Sequence, residues 1–215
     1  MHSSLQDIII FIVVLLLSMS VHEMMHAFAA DWLGDDTARL MGRLTINPLA
    51  HIDPFLTVAV PLLLLLSGAP PFGAAKPVQV NFNRLRWGEF GGAIVGMIGP
   101  LTNLVIAAIA ALIFQHFNLV PGSVVYTAVG YAVLLNLSFC LFNSIPWPPL
   151  DGSRLLYAFA PRPLQEVMES IERTGLMSLV IFLFLFYYLL SPWFSEIISH
   201  LMNVWAPGFL QVMNL

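Results

Sequence analysis

Charge is what this sequence has least of. Lysine and arginine number eight and aspartate and glutamate twelve among 215 residues, 9% charged in all, where soluble domains carry about 25%. That scarcity excludes a soluble domain of ordinary size beside the apolar runs that fill the chain. The net charge is −4 and no basic patch is present, so nucleic acid is not an expected partner. Cysteine occurs once, as Cys140 inside an apolar run; an internal disulfide is excluded, and the residue reads as a small packing side chain. Repeats, low-complexity tracts and lipidation motifs are also missing. The N-terminal MHSSLQD lacks a basic n-region, so the first apolar run is expected to be a retained span rather than a cleaved signal.

What is there is apolar: 59% hydrophobic residues and a mean hydropathy of +0.85. The pattern predicts an all-α polytopic membrane protein with about five to six membrane helices. Residues 5–33 read as one long helix, apolar first and polar after Asp31, ended by Gly34-Asp35-Asp36. Residues 55–67 are apolar but short for a span and contain Pro61; the Pro- and Gly-rich stretch 67–86 follows, in which KPVQVNF is expected to form a short extended strand or hairpin. Residues 87–117, interrupted by Gly99-Pro100, then 124–142 and 176–190, read as further spans. The part from Pro192 on reads as either an interfacial helix or a weak final span. All eight Lys and Arg fall on one side if 55–75 dips into the membrane and returns. Basic residues collect on the cytoplasmic side, so the N-terminus is expected outside and that loop-rich end inside.

The chain is organised around His22-Glu23-Met24-Met25-His26, an H-E-x-x-H pattern at the end of an apolar run. On a helix, residues four apart share a face, so both imidazoles can point at one ion, and Glu23 lies about 100° around from His22. Neutral imidazoles bind Zn2+ and leave a position for water, whose pKa the metal lowers toward ~7. A carboxylate beside it takes the proton and later passes it to a leaving amine. Ionisable residues within a span are costly and tend to be functional. His22 lies roughly 20 Å along from Ile8 at 1.5 Å per residue, within the hydrocarbon.

A third ligand is normal for a catalytic zinc. No histidine stands where H-E-x-x-H-x-x-G-x-x-H would need it; Trp32 does, and no glutamate follows until Glu89. Three candidates remain: His51, Asp53 and Asp151. Asp151 is expected at the same depth as the HEMMH stretch, with Pro146, Pro148 and Pro149 stiffening its approach and Gly152 allowing a tight turn. Its competing role is the N-cap of a helix over SRLLYAF.

HEMMH, NPLAHIDP (47–54), FGAAKPVQVN (72–81), GPLTNL (99–104) and FNSIPWPPLDG (142–152) together resemble the site-2 protease family of intramembrane zinc metalloproteases, most of all its compact prokaryotic members. The resemblance covers about residues 15–157. It implies one Zn2+ held by His22, His26 and Asp151, with Glu23 as general base. It also implies that Asn143, eight residues before Asp151, binds the substrate backbone or the developing oxyanion, for which an uncharged amide donor is suited. Asn103 either lines the site or bonds helices together. His51 and Asp53 match a motif next to the site, as loop anchors or substrate-binding residues. The stretch 75–82 resembles the family's membrane-associated β element, whose free edge can pair with an unwound substrate.

The family implies a single domain over 1–215, with a three-span catalytic core at about 5–157 and C-terminal helices at about 163–215. The expected activity is endoproteolysis in or near a transmembrane segment of another membrane protein, in the inner membrane of a prokaryotic cell, with the site near the cytoplasmic side. The family's larger members carry PDZ or CBS domains; no soluble stretch here is long enough for either, so recognition is expected to rest on the span itself or on a separate regulatory partner. A zinc transporter would need a polar path through the external halves of the spans, which offer almost no polar residues. A non-catalytic scaffold would have no need of Glu23.

Overall fold

The computed structural model describes residues 4–59 and 75–213. Four helices are long and apolar enough to cross a membrane: Leu5–Trp32, Gly88–His116, Val124–Asn143 and the run Met177–Trp205. The chain is an all-α polytopic membrane protein.

Helix α1 (Leu5–Trp32) starts at a capping box: Ser4 Oγ accepts from Asp7 N and Ser4 N donates to Asp7 Oδ2, both at 3.1 Å. These bonds satisfy two of the donors that a helix start leaves free. Helix α2 (Gly88–His116) is the central element and packs against both α1 and α3 (Val124–Asn143). Gly92, Gly96, Gly99, Asn103, Ala107, Ala110 and Ala111 recur on it at helical spacing. Small residues let membrane helices approach closely, and contact rather than burial from water holds such helices together.

After α3, the short helices α4 (Gly152–Phe159) and α5 (Arg162–Arg173) lie at the same end of the bundle. The last span is built from α6 (Leu176–Leu185), a wider π-type turn at Phe186–Leu190, and α7 (Ser191–Trp205). At the opposite end of the bundle, Phe209 of the terminal helix α8 (Phe209–Met213) packs fully buried against Tyr126, Tyr131 and Phe114.

Three sequence expectations are corrected. The spans number four rather than five to six among the described residues, partly because the segment after Pro192 does not stand alone. It continues the helix of 176–190, since Pro192 sits in the first turn of α7, where its missing N–H costs nothing. Second, Gly99-Pro100 does not interrupt α2. Pro100 is fully buried inside a continuous helix; only the Gly96 carbonyl loses its donor. Third, no strand occurs among the described residues. Residues 75–81 form no regular element and bond to loop groups instead of a ladder: Lys76 N donates to His51 O at 2.8 Å and Asn81 N to Asp35 Oδ2 at 2.6 Å.

The dip expected over 55–75 lies mostly outside the described residues. On either side of it, His51 and Lys76 are joined by a backbone bond at one end of the bundle. That end is pinned further by Arg86 N donating to Leu33 O at 2.8 Å and by the ion pair of Arg84 with Asp36 at 2.5 Å. Asp35 is the fully buried centre of this anchor. Burial works against its charge, yet hydrogen bonds from Thr37 Oγ1, Asn81 N and Thr37 N, with Arg84 nearby, hold its carboxyl below the usual carboxylate range.

Candidate metal centre

His22 and His26 lie one turn apart on α1, both buried, and face α2. Asp151 reaches them from the first position before α4. It makes no side-chain cap bond to that helix; its carboxylate points at the imidazoles instead. Asp151 Oδ2 stands 3.1 Å from His22 Nε2 and 3.3 Å from His26 Nε2, and the two Nε2 atoms are 3.0 Å apart. A tetrahedral zinc with ligands at about 2.0–2.1 Å sets its ligand atoms roughly 3.3 Å apart. The triangle has nearly that size.

The donor set fits a cation for a second reason. His22 Nδ1–H donates to Asn103 Oδ1 at 2.5 Å, and His26 Nδ1–H donates to the Val95 carbonyl at 2.6 Å. With each Nδ1 carrying the ring proton, both Nε2 atoms present lone pairs. Two ring nitrogens and a carboxylate oxygen then face one point, a donor set that a bound cation satisfies. Orienting bonds of this kind on the far ring nitrogen are usual for metal-binding histidines.

The close approach depends on glycine. A Cβ at residue 99 would lie 2.5 Å from His26 Nε2 and 2.7 Å from His22 Cε1, and one at residue 96 would lie 2.8 Å from Asp151 O. Gly152 serves the same end. A Cβ there would meet Ser144 O at 2.2 Å, so its role is to let the two ends of the Pro-rich loop touch rather than to supply a left-handed turn.

Among the described residues, the group able to hold a metal consists of His22, His26 and Asp151. Glu23 follows His22 on the helix and is half-buried. Asn103 is bonded to His22, as above. Asn143 is at the end of α3, where its Nδ2 donates to Phe139 O at 3.1 Å. His51 and Asp53 stand outside the metal group and act as loop residues. His51 Nε2–H donates to Thr45 O at 2.9 Å, and Asp53 N donates to Thr57 Oγ1 at 3.0 Å. Sequence reasoning missed the Val95 carbonyl, the steric part of Gly99, and two buried side chains behind Asn103, namely Asn136 and Ser18. The signal for the last two was available: polar residues within otherwise apolar runs.

Four apolar helices and a buried His-His-carboxylate group define a class, the membrane-embedded metalloproteins. Comparison with known proteins narrows it. The chain is 32% identical over 210 residues to "Putative zinc metalloprotease YwhC" of Bacillus subtilis (strain 168), covering 94% of this chain and 90% of that protein. It is 28% identical over 184 residues to "Putative zinc metalloprotease Rip2" of Mycolicibacterium smegmatis, covering 85% of this chain and 69% of that one. Rip2 of Mycobacterium tuberculosis (strain H37Rv) is 29% identical over 195 residues, with 88% and 71% covered. No protein-family model matches the chain, and no solved structure matches it. The chain belongs to this zinc metalloprotease family, and its cofactor is Zn2+.

Proposed function

We propose that this protein is an intramembrane endopeptidase of the site-2 protease type, hydrolysing a peptide bond in or near a transmembrane segment of another membrane protein. The observation that carries the reading is the triangle of His22 Nε2, His26 Nε2 and Asp151 Oδ2, with edges of 3.0–3.3 Å, inside a bundle of spans. Bound there, a zinc ion supplies a Lewis acid for the scissile carbonyl and a more acidic water.

The chain's own residues do the rest. His22, His26 and Asp151 fix the ion. Glu23, beside His22 and half-buried, accepts the water's proton and returns it to the leaving amine. Asn143 offers an amide N–H to the substrate backbone or the oxyanion; its present bond is a 3.1 Å back-bond to its own helix, which one rotamer change releases. An open cavity of about 390 Å³ is lined by Thr37 and residues 79–83, where an unwound substrate can pair with the backbone.

All eight Lys and Arg occur in the loops and short helices of one end. Arg154 of α4 stacks over Phe82 at 4.2 Å, joining the two basic regions. The positive-inside rule therefore places this end, and the site, toward the cytoplasm of a prokaryotic inner membrane, with the N-terminus outside. Partners of this reading are the membrane-protein substrate, the bilayer and a separate regulatory protein.

The test is cleavage of single-span substrates by purified protein in liposomes. Parent, Glu23→Gln and chelator-treated samples are run together. Glu23→Gln is expected to lower the rate by about 10²–10⁴-fold, and chelation to abolish it until Zn2+ is restored. Cleavage that persists at the parental rate in Glu23→Gln overturns the assignment.

A further inference from the structure

We infer that Asn136 is a positioning residue that sets which ring nitrogen of His22 faces the metal. The amide of Asn103 alone cannot do so. Rotated by 180°, it would present N–H2 to His22 Nδ1; the ring proton would then move to Nε2, and the ligand lone pair would be lost. Something must fix the rotation.

The fixed point is a backbone carbonyl, which can only accept. Asn136 lies fully buried in the middle of α3, and its Nδ2 donates to Ala132 O at 2.8 Å and to Ser18 Oγ at 2.9 Å. Both protons of that amide are thereby used, so Asn136 Oδ1 faces the other way and accepts from Asn103 Nδ2 at 2.7 Å. Asn103, itself fully buried, must then turn its own Oδ1 to His22 Nδ1. The order runs from the Ala132 carbonyl through two amides to the Nε2 lone pair at the metal. Three spans contribute: α3 the anchor, α2 the amide in contact, and α1 both the ligand and Ser18, one turn before it. In the membrane interior no water competes for these groups, so the relay has one satisfied arrangement.

The inference rests on the metal reading of the site but is read out separately from it. The full chain is purified in detergent with ¹⁵N-labelled histidine, and the His22 resonance is assigned against a His22→Gln control. In the metal-free parent, His22 is expected to carry its proton on Nδ1. Asn136→Leu is expected to shift the proton to Nε2 and to weaken Zn2+ binding, in competition with a chelator, by about tenfold. Adding Asn103→Asp to Asn136→Leu is expected to restore both, because a carboxylate accepts from either oxygen and needs no orienting. Asn136→Asp, which keeps an oxygen toward Asn103, is expected to stay at the parental tautomer and affinity; it serves should Asn136→Leu fail to fold. An unchanged tautomer in Asn136→Leu, no recovery in the double variant, or loss of the tautomer in Asn136→Asp overturns the relay. Absence of Zn2+ binding in the parent would instead overturn the metal reading.

Discussion

The imidazoles of His22 and His26 occupy the place where residue 99 would carry its side chain. A Cβ there would come within 2.5–2.7 Å of ring atoms, well inside contact distance, so Gly99→Ala must push α2 away from α1 or turn the rings out of the triangle. Overpacking of this kind costs about 1–3 kcal/mol, and displaced ligands lose metal. The expected result is a folded protein whose Zn2+ affinity falls by about tenfold or more, measured by chelator competition alongside the thermal midpoint of the metal-free form. Parental affinity in Gly99→Ala would show that the helices can separate without moving the ligands. At this scale the sequence was most legible where identity and spacing carry the chemistry. His22 and His26 stand out by pattern, and Asp151 by its Pro-braced turn and family resemblance; the structure brings these three together. The Val95 carbonyl was illegible because every residue has one, and the steric role of Gly99 because it depends on a neighbouring helix. Asn103 left two roles open from sequence; its side chain bonds His22 on one side and Asn136 of α3 on the other.

Among the elements, α4 has the most to hold. It begins at Asp151, and its placement fixes that carboxylate beside the two imidazoles. Ser153 Oγ donates to Leu150 O at 2.6 Å at its start; Arg154 pairs with Glu172 at 2.9 Å; Tyr157 Oη donates to Glu169 at 2.7 Å. The last two bonds make α5 a brace for α4. The Glu169 carboxylate, by accepting the Tyr157 hydroxyl, together with burial, pushes that phenol up to about 12. A tyrosine whose folded pKa lies above its unfolded value of about 10 stabilises the fold fully below pH ~10, and the contribution fades as pH rises toward 12. Tyr157→Phe is therefore expected to lose about 1 kcal/mol at pH 7, the net value of one such bond. The difference from the parent is expected to shrink between pH 10 and 12. Thermal midpoints of both proteins across pH 7–12 check this; a difference that grows with pH would be the wrong sign. Helix existence was legible from apolar length. Helix continuity was not, because proline ends a helix in isolation, whereas Pro100 is covered by neighbours and Pro192 falls where a donor is not required. The strand expected at 75–82 failed because alternation suits an extended chain but does not supply a partner.

For the whole molecule, the decisive bond is the one between His51 O and Lys76 N. It holds residues 51 and 76 together at one end of the bundle. With α1 leading in, α2 and α3 form a hairpin out and back, and the last span leads out again. Residue 4 and residue 205 then share one side, and every lysine and arginine lies on the other. A full crossing at 55–67 would break the arrangement. It would put Lys76, Arg84 and Arg86 outside and would part Asp35 from Asn81 and Leu33 from Arg86, bonded here at 2.6 and 2.8 Å. Each of those lost bonds would leave a backbone donor without its partner, at about 1–3 kcal/mol where it is buried. A cysteine-accessibility experiment decides the matter. In a Cys140→Ser background, single cysteines are placed at Ser123, in the α2–α3 turn, at exposed Lys76 and at exposed Arg162, and intact cells are treated with a membrane-impermeant maleimide. Ser123→Cys is expected to react in intact cells, and Lys76→Cys and Arg162→Cys only after the membrane is opened. Labelling of Lys76→Cys from outside would mean that the 55–75 segment crosses. Asp151 would then have to reach His22 and His26 from the opposite face of the membrane, which the 3.1 and 3.3 Å contacts do not allow.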